Sequence, residues 1–218
     1  MIISISTLKG GVGKSTITQN LAVCLAESGY DVCIVDADTN QSAMQWCEIR
    51  ERERLADDSI AEIPVFGQTD GAELIKTVKQ LNEKFNIILI DGTPSLDKLT
   101  SKIILLADLL IIPIVPSVLD VWASVKFLDR YEESQAQKGR KIPAYLLVNQ
   151  NQNTNLAKEV KEALDSIEIP VLKNSLKNRT AYREAVVKGR GVYEWKDVKA
   201  KAEMVTLSNE ITKILKKL

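Results

Sequence analysis

Six short runs, residues 2–6, 32–36, 63–66, 87–91, 109–113 and 144–149, are rich in Ile, Val and Leu with almost no polar alternation. A strand with one wet face alternates apolar and polar side chains, whereas a run that is apolar at successive positions needs cover on both faces. Between the runs lie stretches with helical spacing, residues 16–28, 71–84, 121–138 and 156–167. Strands alternating with helices long enough to cross over predict an α/β fold, a mostly parallel twisted sheet with helices on both faces. No linker, low-complexity stretch or internal repeat divides the chain, so residues 1–218 read as a single domain.

Four runs end in a polar or turn-forming junction: Ser6-Thr7, Asp36-Ala37, Asp91-Gly92 and Asn149-Gln150. Ligands of open parallel sheets bind outside the carboxyl ends of the strands, so these junctions are expected to share one crevice. The first leads into Lys9-Gly10-Gly11-Val12-Gly13-Lys14-Ser15-Thr16, placed between a strand and a helix. Glycines at 10, 11 and 13 let the backbone take positive φ and turn N–H groups inward, a nest for phosphate oxygens at a helix N-terminus. Lys14 is placed to reach β- and γ-phosphates, the Ser15 hydroxyl to ligate Mg²⁺, and Thr16 to bond the α-phosphate. The first glycine of the usual G-x-x-x-x-G-K-[ST] pattern is replaced by Leu8, and an additional lysine, Lys9, opens the loop. Glycine-rich turns and surface lysines are common, but here strand, loop, lysine, hydroxyl and helix stand in the order that phosphate binding needs.

Two acidic elements extend the site. Asp91 ends the apolar run of residues 87–90, where an acid holds a magnesium shell through Ser15 or water. Asp36 and Asp38 flank Ala37 after the second run, and residues two apart in extended backbone point the same way, toward the phosphates. The alternative is structural: Asp38 as the N-cap of a helix from Gln41 onward, and Asp36 as a strand-end turn. The chain contains no histidine, which removes imidazole catalysis and His-ligated zinc, so the chemistry falls to lysines, carboxylates, hydroxyls and a metal. Cys24, Cys33 and Cys47 share no CxxC spacing and read as reduced thiols in a cytoplasmic protein.

At these residues the sequence resembles the ParA/MinD group of deviant Walker-A ATPases, P-loop NTPases by fold. The residues carrying the resemblance are the variant loop Lys9 to Ser15, Asp36-x-Asp38 with Gln41, and the run ending at Asp91 before Gly92-Thr93-Pro94. Pro113-Ile114-Val115-Pro116-Ser117 with Asp120 follows, and then Arg179-Thr180-Ala181-Tyr182 with Glu184-Ala185, Gly189 and Val192. The resemblance implies ATP and Mg²⁺ as cofactors, held by residues 9–16 with Ser15, Asp36 and Asp91 at the metal. It further implies a nucleotide-sandwich homodimer in which Lys9 reaches the partner's ATP, Asp38 placing the attacking water, and Asn149 contacting adenine. Neighbouring Asn151, Asn153 and Asn155 read as a turn with a helix cap. No His or Glu follows Asp91, so intrinsic ATP hydrolysis is expected to be slow.

Three functional classes share this engine: DNA-segregation ATPases, MinD-like membrane-associated positioning ATPases and iron-protein-type reductases. The last needs cysteines bridging two subunits, and none of the three here stands in such a context. A lipid-seeking tail is poorly matched by residues 211–218, which lack Trp and Phe and continue the periodicity of a packed helix, so no stable membrane association is expected. Charge favours the first class: residues 172–218 carry 12 Lys+Arg and 5 Asp+Glu, a net of +7, against 17 and 24 over residues 1–171. A basic face supplies the sequence-independent attraction that duplex DNA requires, with Lys173, Lys177, Arg179, Arg183, Lys188 and Arg190 as candidates. The alternative is an ordinary solvated helical surface. No helix-turn-helix is expected ahead of the first strand, so the chain resembles the small ParF-type partition ATPases. The implied partners are nonspecific double-stranded DNA and a ParB-like centromere-binding protein that stimulates hydrolysis. The implied location is the cytoplasm, on the nucleoid.

Overall fold

The computed structural model describes the chain apart from Leu96, residues 118–123, residues 153–157 and Ser166, and apart from the side chains of residues 158–161. Asp120, the start of the helix expected over residues 121–138, and Asn153 and Asn155 lie outside the described residues. Six strands form one parallel sheet: β1 (Ile2–Ile5), β2 (Val32–Asp36), β3 (Val65–Gly67), β4 (Ile87–Asp91), β5 (Leu109–Ile114) and β6 (Ala144–Val148). Their order is β3-β2-β4-β1-β5-β6, every neighbouring pair parallel. The helices are α1 (Lys14–Glu27), α2 (Ser42–Arg54), α3 (Gly71–Leu81), α4 (Lys98–Leu106), α5 (Val125–Lys138), α6 (Lys158–Asp165), α7 (Thr180–Val187) and α8 (Val198–Leu215), with a 3₁₀ turn at Val192–Glu194.

Alternation along each strand sends successive side chains to opposite faces. Ile3, Ile5, Ile34, Leu89, Leu109 and Ile111 enter a core shared with α1, α7 and α8. Cys33, Val35, Ile88 and Ile90 enter a second core under α3 and α4, and Leu110, Ile112 and Leu146 a third under α5. Both faces are therefore covered, which is why the strands read as unbroken apolar runs. The last helix follows the same physics: Ala200, Met204, Leu207, Ser208 and Ile211 are buried at helical spacing, and α8 packs along α1.

Register places the chemistry. Ile5 of β1 pairs with Asp91 of β4, and Asp91 pairs with Asp36 of β2. Both carboxylates thus stand at the carboxyl edge of adjacent strands, beside the loop that follows β1. The connections from β1 and β4 leave in opposite directions across the sheet, so this edge is the crevice where an open parallel sheet accepts a ligand.

Candidate nucleotide-binding site

The loop after β1 has the backbone that its glycines predict. Gly11 and Gly13 sit at φ 75 and φ 90, and Gly13 is the N-terminal boundary of α1. Gly13 is required twice, since a Cβ there would also collide with the Asn149 amide. Lys14 is buried, and its Nζ donates to the Lys9 carbonyl at 3.0 Å, so the ammonium is folded onto the loop. Burial lowers its pKa, while Asp91 and Asp38 pull the other way. Lys9 itself is exposed.

Asp91 is wholly buried, and neither of its oxygens meets full hydrogen-bond geometry with a described residue, the Ser15 hydroxyl being the one donor close enough to act on it. Burial pushes its carboxyl up to about 7, and the adjacent Ser15 hydroxyl and Lys14 ammonium pull back. An orphaned buried carboxylate is costly and calls for a cation or donor. The local donor set, the Ser15 hydroxyl with the Asp91 and Asp36 carboxylates, is all oxygen, which fits Mg²⁺. Among the described residues no three acidic, cysteine or histidine side chains gather into a metal cage. Mg²⁺ suits such a site, because it is commonly held by one or two carboxylates together with phosphate and water.

The two aspartates after β2 divide their work in a way the sequence left open. Asp36, not Asp38, caps α2: its Oδ2 accepts from the N–H groups of Ala43 and Met44 at 2.8 and 3.1 Å, and its Oδ1 from Asp38 N–H at 3.1 Å. Asp36 is therefore more than a strand-end turn, and its metal role would have to share oxygens already bonded to backbone. Burial raises its pKa, and those three N–H groups oppose the rise. Asp38 is 7% exposed, accepts from Asn40 N–H at 3.0 Å and lines the cleft. It is the aspartate of the pair left facing the ligand space.

The cleft has a volume of about 720 Å³ and runs from the glycine loop past the start of α2 to the segment before α7. Ser15, Thr16, Asp38, Asn149, Leu176 and Tyr182 are among its walls. Asn149 does not point away from the loop: its Nδ2 donates to the Val12 carbonyl at 2.7 Å. The far wall is held by the chain after β6, where Asn151 N–H donates to the Leu176 carbonyl at 2.9 Å and Asn178 N–H to the Asn151 carbonyl at 3.1 Å.

The six basic candidates do not form one uniform face. Lys173, Arg183 and Lys188 are exposed, while Lys177, Arg179 and Arg183 line the cleft. Arg179 and Arg190 have carboxylate partners among the described residues. Arg179 pairs with Glu203 at 2.6 Å, and Arg190 pairs with Asp57 at 3.1 Å and Glu53 at 3.5 Å. Their charge is largely compensated locally, so Lys173, Arg183 and Lys188 are the stronger part of the candidate set.

Sequence reasoning missed Arg50. It is fully buried in α2 and bonds both oxygens of Glu194, at 2.8 and 3.0 Å, together with the carbonyls of Ala61 and Gly189. Its guanidinium stands over the Trp46 ring at 5.1 Å. Gly189, at φ 65, lies so close to the Arg50 backbone that no Cβ fits. This clamp joins α2, the helix capped by Asp36, to the corner following α7, fixing two sides of the cleft. Standing at the head of the run Arg50-Glu51-Arg52-Glu53-Arg54, Arg50 gave no signal that it, unlike its neighbours, would be buried.

A glycine loop on a parallel sheet, a folded-in lysine, a hydroxyl and an orphaned buried aspartate define a P-loop nucleotide-binding protein. Residues 3–192 match the family model of the CobQ/CobB/MinD/ParA nucleotide binding domain. The chain belongs to this family, whose ParA and MinD members are nucleotide-binding ATPases. It is 30% identical over 194 residues to maintenance of carboxysome distribution protein A of Halothiobacillus neapolitanus, covering 88% of this chain and 86% of the relative. Protein ParA of Rhizobium radiobacter is 26% identical over 184 residues, covering 83% and 80%. The septum site-determining protein MinD of Pyrococcus horikoshii OT3, solved with Mg-ADP, superposes with a TM-score of 0.77 at 21% identity, covering 98% of this chain and 96% of that one. ATP with Mg²⁺, the expected cofactor pair, agrees with the family and with the oxygen donors assembled here.

Proposed function

We propose that residues 1–218 act as one ParA-like domain that hydrolyses ATP slowly to ADP and phosphate and uses ATP binding as a positioning switch. The observation that carries the switch is the loop from Lys9 to Ser15 beside the orphaned Asp91, a site completed by a phosphate chain and its cation. The nest N–H groups and Lys14 would hold the phosphates, with Ser15 and Asp91, and Asp36 through its remaining lone pairs, holding Mg²⁺. The cation would neutralise charge on the transferred phosphoryl group. Asp38 would orient the attacking water, and the base would lie toward Asn149 and Leu176. Lys9 would act in trans across a homodimer, where a second cation stabilises transition-state charge as an arginine finger does.

In this reading the ATP-loaded dimer binds duplex DNA without sequence preference, and a ParB-like centromere-binding partner stimulates hydrolysis and releases it. Support comes from the net charge of +7 over residues 172–218, with Lys173, Arg183 and Lys188 exposed. The protein would then work in the cytoplasm on the nucleoid. A second reading keeps the same switch and changes the cargo to a carboxysome-like body, favoured by the 30% identity with the carboxysome distribution protein.

Duplex DNA retention across a salt series tests the DNA half, with ATP, ADP and no nucleotide, for the wild type and Lys14→Ala. Retention that needs ATP, fades with salt and is lost in Lys14→Ala is expected. Nucleotide-independent retention, or none at low salt, contradicts it. ATP-dependent co-sedimentation with anionic liposomes instead of DNA would move the assignment to the MinD-like class. No helix among the described residues is long and apolar enough to cross a membrane.

A further inference from the structure

Two side-chain amides from the end of β6 hold two successive carbonyls of the glycine loop. Asn149 Nδ2 donates to Val12 O at 2.7 Å, and Gln150 Nε2 donates to Gly11 O at 2.8 Å. Gln150 does so from φ 56, making it one of two non-glycine residues with positive φ among those described. Left-handed backbone is uncommon for such a residue and persists where its surroundings hold it there. Its neighbour Asn151 is tied by backbone hydrogen bonds to Leu176 and Asn178 on the far wall of the cleft. The polar run after β6, read from sequence as a turn, thus joins the glycine loop to the opposite side of the site.

A peptide unit is planar and trans, so its C=O and N–H point in opposite directions. Holding Gly11 O fixes the direction of Val12 N–H, and holding Val12 O fixes that of Gly13 N–H. With both carbonyls turned to the β6 amides, both N–H groups are turned away from them. Between flanking glycines, where backbone rotation is cheapest, a flipped peptide would present a carbonyl oxygen to an anion instead of a donor.

We infer that Gln150 is a positioning residue for the nucleotide phosphates, acting with Asn149 through the peptide planes of the glycine loop. It touches no phosphate itself. This rests on the nucleotide-switch reading above. A neutral hydrogen bond contributes about 0.5–1.5 kcal/mol, so losing the Gln150 amide weakens binding by about 2- to 12-fold. The planes are set before the ligand arrives, so ATP and ADP are affected alike and the loss appears in affinity more than in turnover at saturation.

Three substitutions separate side chain from backbone. Gln150→Asn keeps a residue that tolerates left-handed φ but shortens the amide by one carbon. Gln150→Gly keeps the φ and removes the amide. Gln150→Glu keeps the length and sets an acceptor against an acceptor. Mg-ATP and Mg-ADP dissociation constants, kcat and KM for ATP, and the unfolding midpoint without nucleotide are measured for each, beside the wild type and Lys14→Ala. The expected result is weaker binding of both nucleotides and a raised KM in all three, largest for Glu, with kcat changed less than about 2-fold and the nucleotide-free midpoint of Gly and Asn near wild type. Wild-type affinity in Gln150→Gly and Gln150→Asn overturns the inference while leaving the switch standing. So does a loss that only tracks a lowered midpoint. A wild type that binds no ATP overturns both.

Discussion

Glu194→Ala should be among the most damaging single changes outside the sheet, because it strands the buried Arg50 guanidinium. Arg50 has no exposed surface, and its five hydrogen bonds go to Glu194, Ala61 and Gly189. At a charge separation of about 4 Å and an effective dielectric of about 20, the pair attracts by about 4 kcal/mol, offset in the intact protein by desolvation of both ions. Truncating Glu194 removes the attraction and leaves the desolvation cost, so a loss of about 3–5 kcal/mol is expected. Gly191 N–H, which bonds Glu194 Oε2 at 3.0 Å, is orphaned as well. For a urea slope of about 2–3 kcal/mol/M the midpoint falls by about 1–2.5 M. Urea unfolding of wild type, Glu194→Ala and the double replacement Arg50→Met/Glu194→Leu is the assay. The double replacement should recover part of the loss, because an apolar pair of similar volume carries no stranded charge, although Gly191 N–H and the Ala61 and Gly189 carbonyls keep no partner there. A Glu194→Ala loss under about 1 kcal/mol, or a double replacement no better than the single one, would refute the reasoning.

Gly13→Ala should fold but lose Mg-ATP binding, since it combines a φ of 90 with a collision against Asn149; retained affinity in a fluorescent-nucleotide titration counts against the loop geometry. Burial raises Asp91 from its ordinary 3.8 to about 7, so the folded nucleotide-free protein holds a proton that the unfolded chain has released, and stability falls as pH rises from about 4 to about 7. That fall amounts to at most about 4 kcal/mol. It should be absent in Asp91→Asn, which gains stability over the wild type at pH 7.5 while losing Mg²⁺-dependent nucleotide binding; urea midpoints of the two chains at pH 5 and pH 7.5 decide this, and a wild-type advantage at pH 7.5 contradicts it. Ile211→Ala should lower stability by about 2–5 kcal/mol, because Ile211 is fully buried where α8 meets the core. Deleting the exposed residues 216–218 should cost little, and calorimetry compares the two.

The strands were legible because burial on both faces leaves an unbroken apolar run, and five of the six expected runs overlap their strands nearly end to end. The run expected at residues 63–66 forms only Val65–Gly67, at the sheet edge. The glycine loop was legible because its chemistry is local: strand, turn, lysine and hydroxyl are contiguous in the chain. What the sequence hid is non-local. Helix α2 buries only Ala43, Trp46 and Arg50, so its apolar stripe is too narrow to declare a helix, and its cap comes from Asp36, six residues before it starts. Asn149 was expected at adenine and Gln150 in a turn because their partners on the glycine loop, Val12 and Gly11, lie far back in the chain. Arg179 and Arg190 looked like free cations because Glu203 and Asp57 meet them only in the fold.

The central claim is that ATP, held with Mg²⁺ at this loop, switches the oligomeric state of the chain. Light scattering of the purified protein with Mg-ATP and with Mg-ADP measures it directly. A doubling of the 24.2 kDa molar mass is expected with Mg-ATP alone, lost in Lys9→Ala although that chain still binds ATP. The same mass in both nucleotides, or an ATP-dependent dimer undiminished in Lys9→Ala, would contradict the account.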